Sequence, residues 1–194
     1  MKATNELDEA SPARATDSRD ANRPAASTAK ARSDGLVVLV ICDLIDSTAL
    51  RMEIGDSSAN TLGVRTTQRI RESIADRGGE VVVGTGDGAV AVFASISRAL
   101  DAALRLQIDL RLIDHPHAYR QALRVVVDIG DARWADGNVR GPVYERAAAL
   151  IGAVGAEVVC TSTARFFAQH VRHIEFEPGP TESSFRCVAS VPAS

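Results

Sequence analysis

Two aspartates stand at positions where carboxylates could do chemistry. Asp43 ends the run Leu36-Val37-Val38-Leu39-Val40-Ile41-Cys42, which is otherwise wholly apolar, and Asp87 sits in the glycine-flanked segment Gly84-Thr85-Gly86-Asp87-Gly88. Two carboxylates brought together repel each other unless a cation lies between them. Oxygen donors of this kind suit Mg2+ or Mn2+, which in turn bind phosphates. The glycines around Asp87 let backbone approach a ligand closely. Between Asp43 and the following helix, the backbone N–H groups of Ile45, Asp46, Ser47 and Thr48 are placed to cradle a triphosphate at a helix N-terminus. Each aspartate alone also has an ordinary reading, Asp87 as a turn former and Asp43 as a strand terminator. Their combination at these two points is what suggests a site.

The elements around them must bring the two together. The β-branched run before Asp43 reads as a central strand buried on both faces. Ser47 or Thr48 can cap a helix beginning near Ala49. A helix is expected over 57–77, with Ile70 and Ile74 on one face and Gly78-Gly79 stopping it. Strands at 80–83 and 89–93 flank the Asp87 turn as a hairpin. Ile96, Leu100, Leu104, Ile108 and Leu112, with Ala99 and Ala103, form the apolar stripe of a second long helix. A strand over 123–129 follows, then a loop through Asp136-Gly137-Asn138 and a helix over 142–154. A strand at 157–160, a short helix over 161–169 and strands near 174–176 and 184–188 finish the chain. Strand, helix, hairpin, helix, strand is the ferredoxin-like pattern. The expected fold is α+β, a mixed sheet with helices mainly on one face, whose first strand is central and passes close to the hairpin.

Composition bounds the rest. The 194 residues are enough for one domain, and 45% of them are apolar. A net charge of −3 leaves no electrostatic footprint for nucleic acid. Three cysteines, Cys42, Cys160 and Cys187, without a CxxC pair, argue against a disulfide framework or structural zinc. No run has the length of a membrane span and the N-terminus lacks a signal-peptide stretch, so a cytoplasmic protein is expected. Residues 1–34 contain no Val, Ile, Phe, Tyr or Trp and read as a disordered tail ahead of a domain over 35–190. His115 with His117, and His170 with His173, lack Cys or carboxylate company at ligand spacing and read as surface or capping residues.

The segments Cys42-Asp43-Leu44-Ile45-Asp46-Ser47-Thr48, Arg77-Gly78-Gly79-Glu80-Val81-Val82, Thr85-Gly86-Asp87-Gly88 and Gly141-Pro142 together resemble the catalytic domain of class III nucleotidyl cyclases. The resemblance implies a ferredoxin-like cyclase fold, and Asp43 and Asp87 as ligands of two Mn2+ or Mg2+ ions, with the Leu44 backbone as a further metal contact. It also implies a nucleoside triphosphate held by Ile45–Thr48, and homodimers with active sites at the interface. The family's base-reading lysine falls at Val83 and its partner at Asn138. Its transition-state Asn and Arg fall at Glu145 and Ala149. No lysine follows Lys30. Arg146, on nearly the same helix face one turn before Ala149, could supply the missing guanidinium, and Tyr144 could touch a base. An Asn amide can both donate to and accept from a uracil edge. The rewritten pocket and stand-alone architecture look like the bacterial pyrimidine (uridylate) cyclases of the Pycsar antiphage system. That subgroup makes a cyclic pyrimidine monophosphate, UTP favoured as substrate, which a separate effector reads. The alternative is a pseudocyclase that keeps the fold but has lost transition-state stabilisation.

Overall fold

The strand that carries Asp43 is an interior strand of the sheet, paired on both sides. A computed structural model of the chain describes residues 32–84, 86–111 and 122–190. Its elements are β1 (Gly35–Leu44), α1 (Ser47–Ile54), α2 (Asp56–Ala75), β2 (Glu80–Gly84), β3 (Gly88–Phe93), α3 (Ile96–Arg111) and β4 (Leu123–Ala135). They continue with β5 (Asn138–Arg140), α4 (Pro142–Ile151), β6 (Val158–Thr161), α5 (Ser162–Phe167), β7 (Ile174–Pro178) and β8 (Ser184–Ala189). The sheet runs β2-β3-β1-β4-β6-β8-β7, with β5 paired to β4. β1 lies antiparallel between β3 and β4, as the ferredoxin-like pattern requires, and β4–β6 is a parallel pair. The α+β expectation holds, extended beyond β4 by three strands.

Strand alternation divides the core in two. Val38, Val40 and Cys42 join Ile70 and Ile74 of α2, Leu100 and Leu106 of α3 and Ala164 of α5 in one cluster. Leu39, Ile41, Val126 and Val159 face the other way, against Val143 and Ala147 of α4. Burying a leucine such as Leu100 or Leu106, both 0% exposed, contributes roughly 1.5–3 kcal/mol. The helix stop at Gly78-Gly79 is as expected. Gly78 has φ +73, its N–H donates to Ala75 O and the Gly79 N–H to Ile74 O, the paired bonds of a Schellman cap.

Several boundaries differ from expectation. Ile108 is 50% exposed, while Leu106 and Leu110 are buried in its place. Repeated steps of four residues drift about 40° each around a helix, so the expected stripe leaves the core by its fourth member. β4 continues to Ala135, and a turn through Asp136 (φ 52) and Gly137 (φ +77) returns it as β5, so Asn138 is a strand residue rather than a loop residue. Arg32 and Asp34, described residues ahead of the expected domain start at Gly35, both touch β4. The Arg32 guanidinium stacks over Trp134 at 4.3 Å, and the Trp134 N–H donates to Asp34 Oδ1 at 3.0 Å. The remainder of the expected tail (1–31), Thr85, Leu112, His115 and His117 lie outside the described residues.

Candidate active site

The ladder places Asp43 directly opposite Gly88 of β3 and Arg124 of β4. Gly88 is required there. A Cβ at that position would lie 2.5 Å from Cys42 O and 3.3 Å from Asp43 Oδ1. The close approach continues past the strand end, where the Leu44 N–H donates to Asp87 O at 2.8 Å. Two residues 44 apart in sequence thus hang from one backbone junction. Asp87 Oδ2 accepts from the Ser47 hydroxyl at 3.2 Å, tying the hairpin turn to the start of α1. On the other side of the turn, Gly63 of α2 packs close enough that its Cβ would stand 3.2 Å from Gly86 O.

The Asp43 carboxylate is asymmetric. Its Oδ2 accepts from Arg124 Nε at 2.8 Å and Nη2 at 2.6 Å, whereas its Oδ1 lies on the Gly88 side, toward the Asp87 turn. Both side chains are about 30% exposed, so this is a solvated ion pair of modest strength. A divalent cation suits the donor types gathered here, a hard carboxylate oxygen from β1 and the Asp87 carboxylate from the turn. Among the described residues no three His, Cys, Asp or Glu side chains gather into a metal cage. Two carboxylates without a cage is the pattern of a Mg2+-type ion that takes its other ligands from water and substrate phosphate.

The expected phosphate cradle is shorter than the sequence suggested. The Ile45 N–H is spent on Ala122 O at 2.9 Å, so Ile45 does not offer its amide. The helix cap is Asp46 itself, in the left-handed region at φ 57 and without a side-chain capping bond, rather than Ser47 or Thr48. α1 begins at Ser47, and its first N–H groups, from Ser47 and Thr48 onward, have no intrahelical acceptor. Ser47 and Thr48 line a cavity of about 600 Å3 together with Arg51, Thr67, Arg71 and Asp87, among others.

The remaining candidates lie on the α4 side of the sheet. A bulge between Val81 and Val83 puts both Val82 and Val83 against the α4-side cluster, the face that also carries Asp43. Asn138 is held in the β4–β5 hairpin, its Nδ2 donating to Asp136 O at 3.2 Å. Gly141 (φ +97) and Pro142 open α4 as expected. On that helix Tyr144 is half-buried in the second cluster, and Glu145 and Ala149 are exposed.

Arg146, the candidate for the missing guanidinium, is engaged by a buried carboxylate. Its Nε and Nη2 both reach Asp128 Oδ2 at 2.9 Å, and Nη2 also donates to Ile129 O at 3.2 Å. Asp128 is 0% exposed and also accepts from the Thr161 hydroxyl at 2.5 Å and the Ile129 N–H at 2.8 Å. Sequence reasoning passed over Asp128, although a carboxylate inside the apolar run Val125-Val126-Val127-Asp128-Ile129 was a signal. His173, expected to lack a carboxylate, has its Nε2 2.6 Å from Asp101 Oδ1. Cys42 is buried beside Asp43, donates to Ala89 O at 3.6 Å, and burial pushes its thiol up to about 12.

No family model matches the sequence, and none of the curated proteins matches it. The fold does match solved structures. The guanylyl cyclase domain of the RhoGC fusion protein from the aquatic fungus Blastocladiella emersonii, crystallised as a dimer, superposes with a TM-score of 0.70 at 11% identity, over 79% of this chain and 94% of that one. The guanylate cyclase domain of RhGC from Catenaria anguillulae, in complex with GTP, gives 0.68 at 12% identity over 79% and 96%. An adenylate/guanylate cyclase/hydrolase from Silicibacter pomeroyi gives 0.63 at 23% identity over 80% and 96%. The fold is that of class III nucleotidyl cyclase catalytic domains. No helix among the described residues is long and apolar enough to cross a membrane.

Proposed function

We propose that the protein is a nucleotidyl cyclase, converting a ribonucleoside triphosphate to its 3′,5′-cyclic monophosphate and pyrophosphate. The observation that carries this is the junction of Asp43 and Asp87 beside the N-terminus of α1 and its cavity. Asp43 Oδ1, the Asp87 carboxylate and the Leu44 backbone would hold two Mn2+ or Mg2+ ions. Such ions lower the pKa of the ribose 3′-hydroxyl and draw charge from the phosphate oxygens. The protein's own part is positional. Arg124 fixes the Asp43 carboxylate so that one oxygen faces the turn, and Ser47 does the same for Asp87. The N–H groups of Ser47 and Thr48 bind the phosphates, and the junction sets the 3′-hydroxyl in line with the α-phosphate.

The α4-side face, where Val82 and Val83 sit, is the surface a second copy would cover in a homodimer. Asn138, Tyr144 and Glu145 of one copy would then face the nucleotide of the other. With Val83 where a base-reading lysine is expected and Asn138 as the remaining polar group, we favour UTP over purines. The cyclic product would be a messenger for a separate effector in antiphage defence.

The engagement of Arg146 by Asp128 favours one other reading, a pseudocyclase without a transition-state cation. Incubating the full chain with Mn2+ and each ribonucleoside triphosphate in turn, with products identified by mass spectrometry, separates the possibilities. Cyclic UMP, absent with Asp87→Ala protein of unchanged melting temperature, is the expected result. A cyclic purine would overturn the pocket argument. No cyclic product from folded protein would leave the pseudocyclase.

A further inference from the structure

We infer that Arg71 is the side chain that grips the phosphate tail of the nucleotide, an assignment that rests on reading this site as a nucleoside triphosphate site. The cavity beside Asp87 has two arginines in its wall, Arg51 and Arg71. Arg51 is already engaged, its Nη1 donating to Asp56 Oδ1 at 3.1 Å and Asn60 Oδ1 at 3.0 Å. Arg71 makes no side-chain hydrogen bond or ion pair among the described residues, and its guanidinium is exposed to the cavity.

Its position is set by the fold. Arg71 follows Ile70, which is 1% exposed and anchors α2 in the core, so the backbone beneath the arginine is fixed. The guanidinium lies over Gly84, where a Cβ would stand 3.2 Å from Nη2. Gly84 is the last residue of β2, three before Asp87, and any larger side chain there would crowd the arginine. The cavity wall therefore combines the Asp87 carboxylate, for cations, with the first turn of α1 and a guanidinium that has no side-chain partner among the described residues, for anions. A cation–polyphosphate complex has that same alternation of charge. With no lysine after Lys30, an arginine is the side-chain cation the fold has to offer, and its planar fork suits phosphate oxygens.

The test is calorimetric titration of the full chain with inorganic tripolyphosphate in Mn2+, comparing wild type, Arg71→Gln and Arg71→Lys. Tripolyphosphate has no base or ribose, so it reads the phosphate contact alone. Arg71→Gln is expected to weaken binding by about tenfold or more, the loss of one charge-assisted contact, with an unchanged melting temperature because Arg71 makes no side-chain hydrogen bond or ion pair among the described residues. Arg71→Lys should recover part of the affinity. Equal tripolyphosphate binding by wild type and Arg71→Gln would overturn the assignment and leave the cyclase reading standing. Absence of tripolyphosphate binding by wild type would overturn both. Loss of nucleotide binding with tripolyphosphate binding intact would also overturn it, by moving Arg71 to the base or ribose.

Discussion

Gly88→Ala is the smallest change that reaches the proposed metal site through the backbone. The added Cβ would sit 2.5 Å from Cys42 O, where an ordinary contact begins at 3.4 Å, so β3 and β1 must separate by about 0.9 Å. They would separate at the rung that carries Asp43, next to the bond between Leu44 N–H and Asp87 O. Overpacking of this kind costs about 1–3 kcal/mol. For a domain of this size each kcal/mol lowers the melting temperature by roughly 2–4 °C, so a fall of roughly 5 °C is expected by differential scanning fluorimetry. The functional loss should exceed the stability loss. A displacement near 1 Å in a catalytic constellation costs about 100-fold in rate, measured as Mn2+-dependent pyrophosphate release well below the melting transition. Gly152→Ala is the control, since its φ is −66 and a Cβ there meets nothing within 4 Å. A Gly88→Ala protein with wild-type melting temperature and rate would refute the claim that this contact sets the distance between the two aspartates.

Two further outcomes follow from groups away from that junction. Among the described residues, Arg146→Ala leaves the buried Asp128 carboxylate with Thr161 and the Ile129 N–H as donors, and should destabilise the domain by about 2 kcal/mol, less than the range for a fully buried pair because Arg146 is half-exposed. Chemical denaturation should show the loss as non-additive with Asp128→Ala. Arg146→Ala with unchanged stability and abolished turnover would instead return Arg146 to the chemistry. The buried thiols supply a pH effect. Burial raises Cys42 to about 12, and Cys187 is raised by its contact with the Cys160 thiol and by burial. Both favour the protonated form in the folded state, so their contribution is complete below pH 9 and is lost as pH rises above it, by roughly 1 kcal/mol per pH unit per thiol. Denaturation midpoints should be insensitive to these thiols from pH 6 to 8.5 and fall in a Cys42-dependent manner above 9.

The sequence was most legible where one residue type has a single structural use. The continuous apolar run could only be a central strand, the glycine-rich turn could only be tight, and Gly78-Gly79 stopped α2 by the bonds their positions imply. Legibility failed where backbone bonding decides. Nothing in Ile45 reveals that its amide meets Ala122 O, and nothing in Asp46 reveals that it adopts φ 57 and displaces Ser47 as the cap. The expected strand stops at Ile129, yet β4 runs on: Gly130, Asp131 and Ala132 pair with Val37, Leu36 and Gly35 of β1, and Arg133 pairs with Arg140 of β5. Arg71 was hidden among the charges of an amphipathic helix, since only the fold shows which of them faces a cavity.

Asp43 and Asp128 make the deeper point. Each is a carboxylate in an otherwise apolar strand, each lies on the α4 side of the sheet, and each is paired with an arginine. What separates them is cover. α4 closes over Asp128, which is 0% exposed and fully engaged by Thr161, Ile129 and Arg146, so its charge is part of the scaffold. Among the described residues, no helix closes over Asp43 in this way. Asp43 is about 30% exposed and keeps one oxygen toward the Asp87 turn. A solvated ion pair exchanges partners at little cost, whereas a buried one does not. The same residue pair is therefore structural midway along β4 and available for a cation at the start of β4, and the reach of α4 decides which.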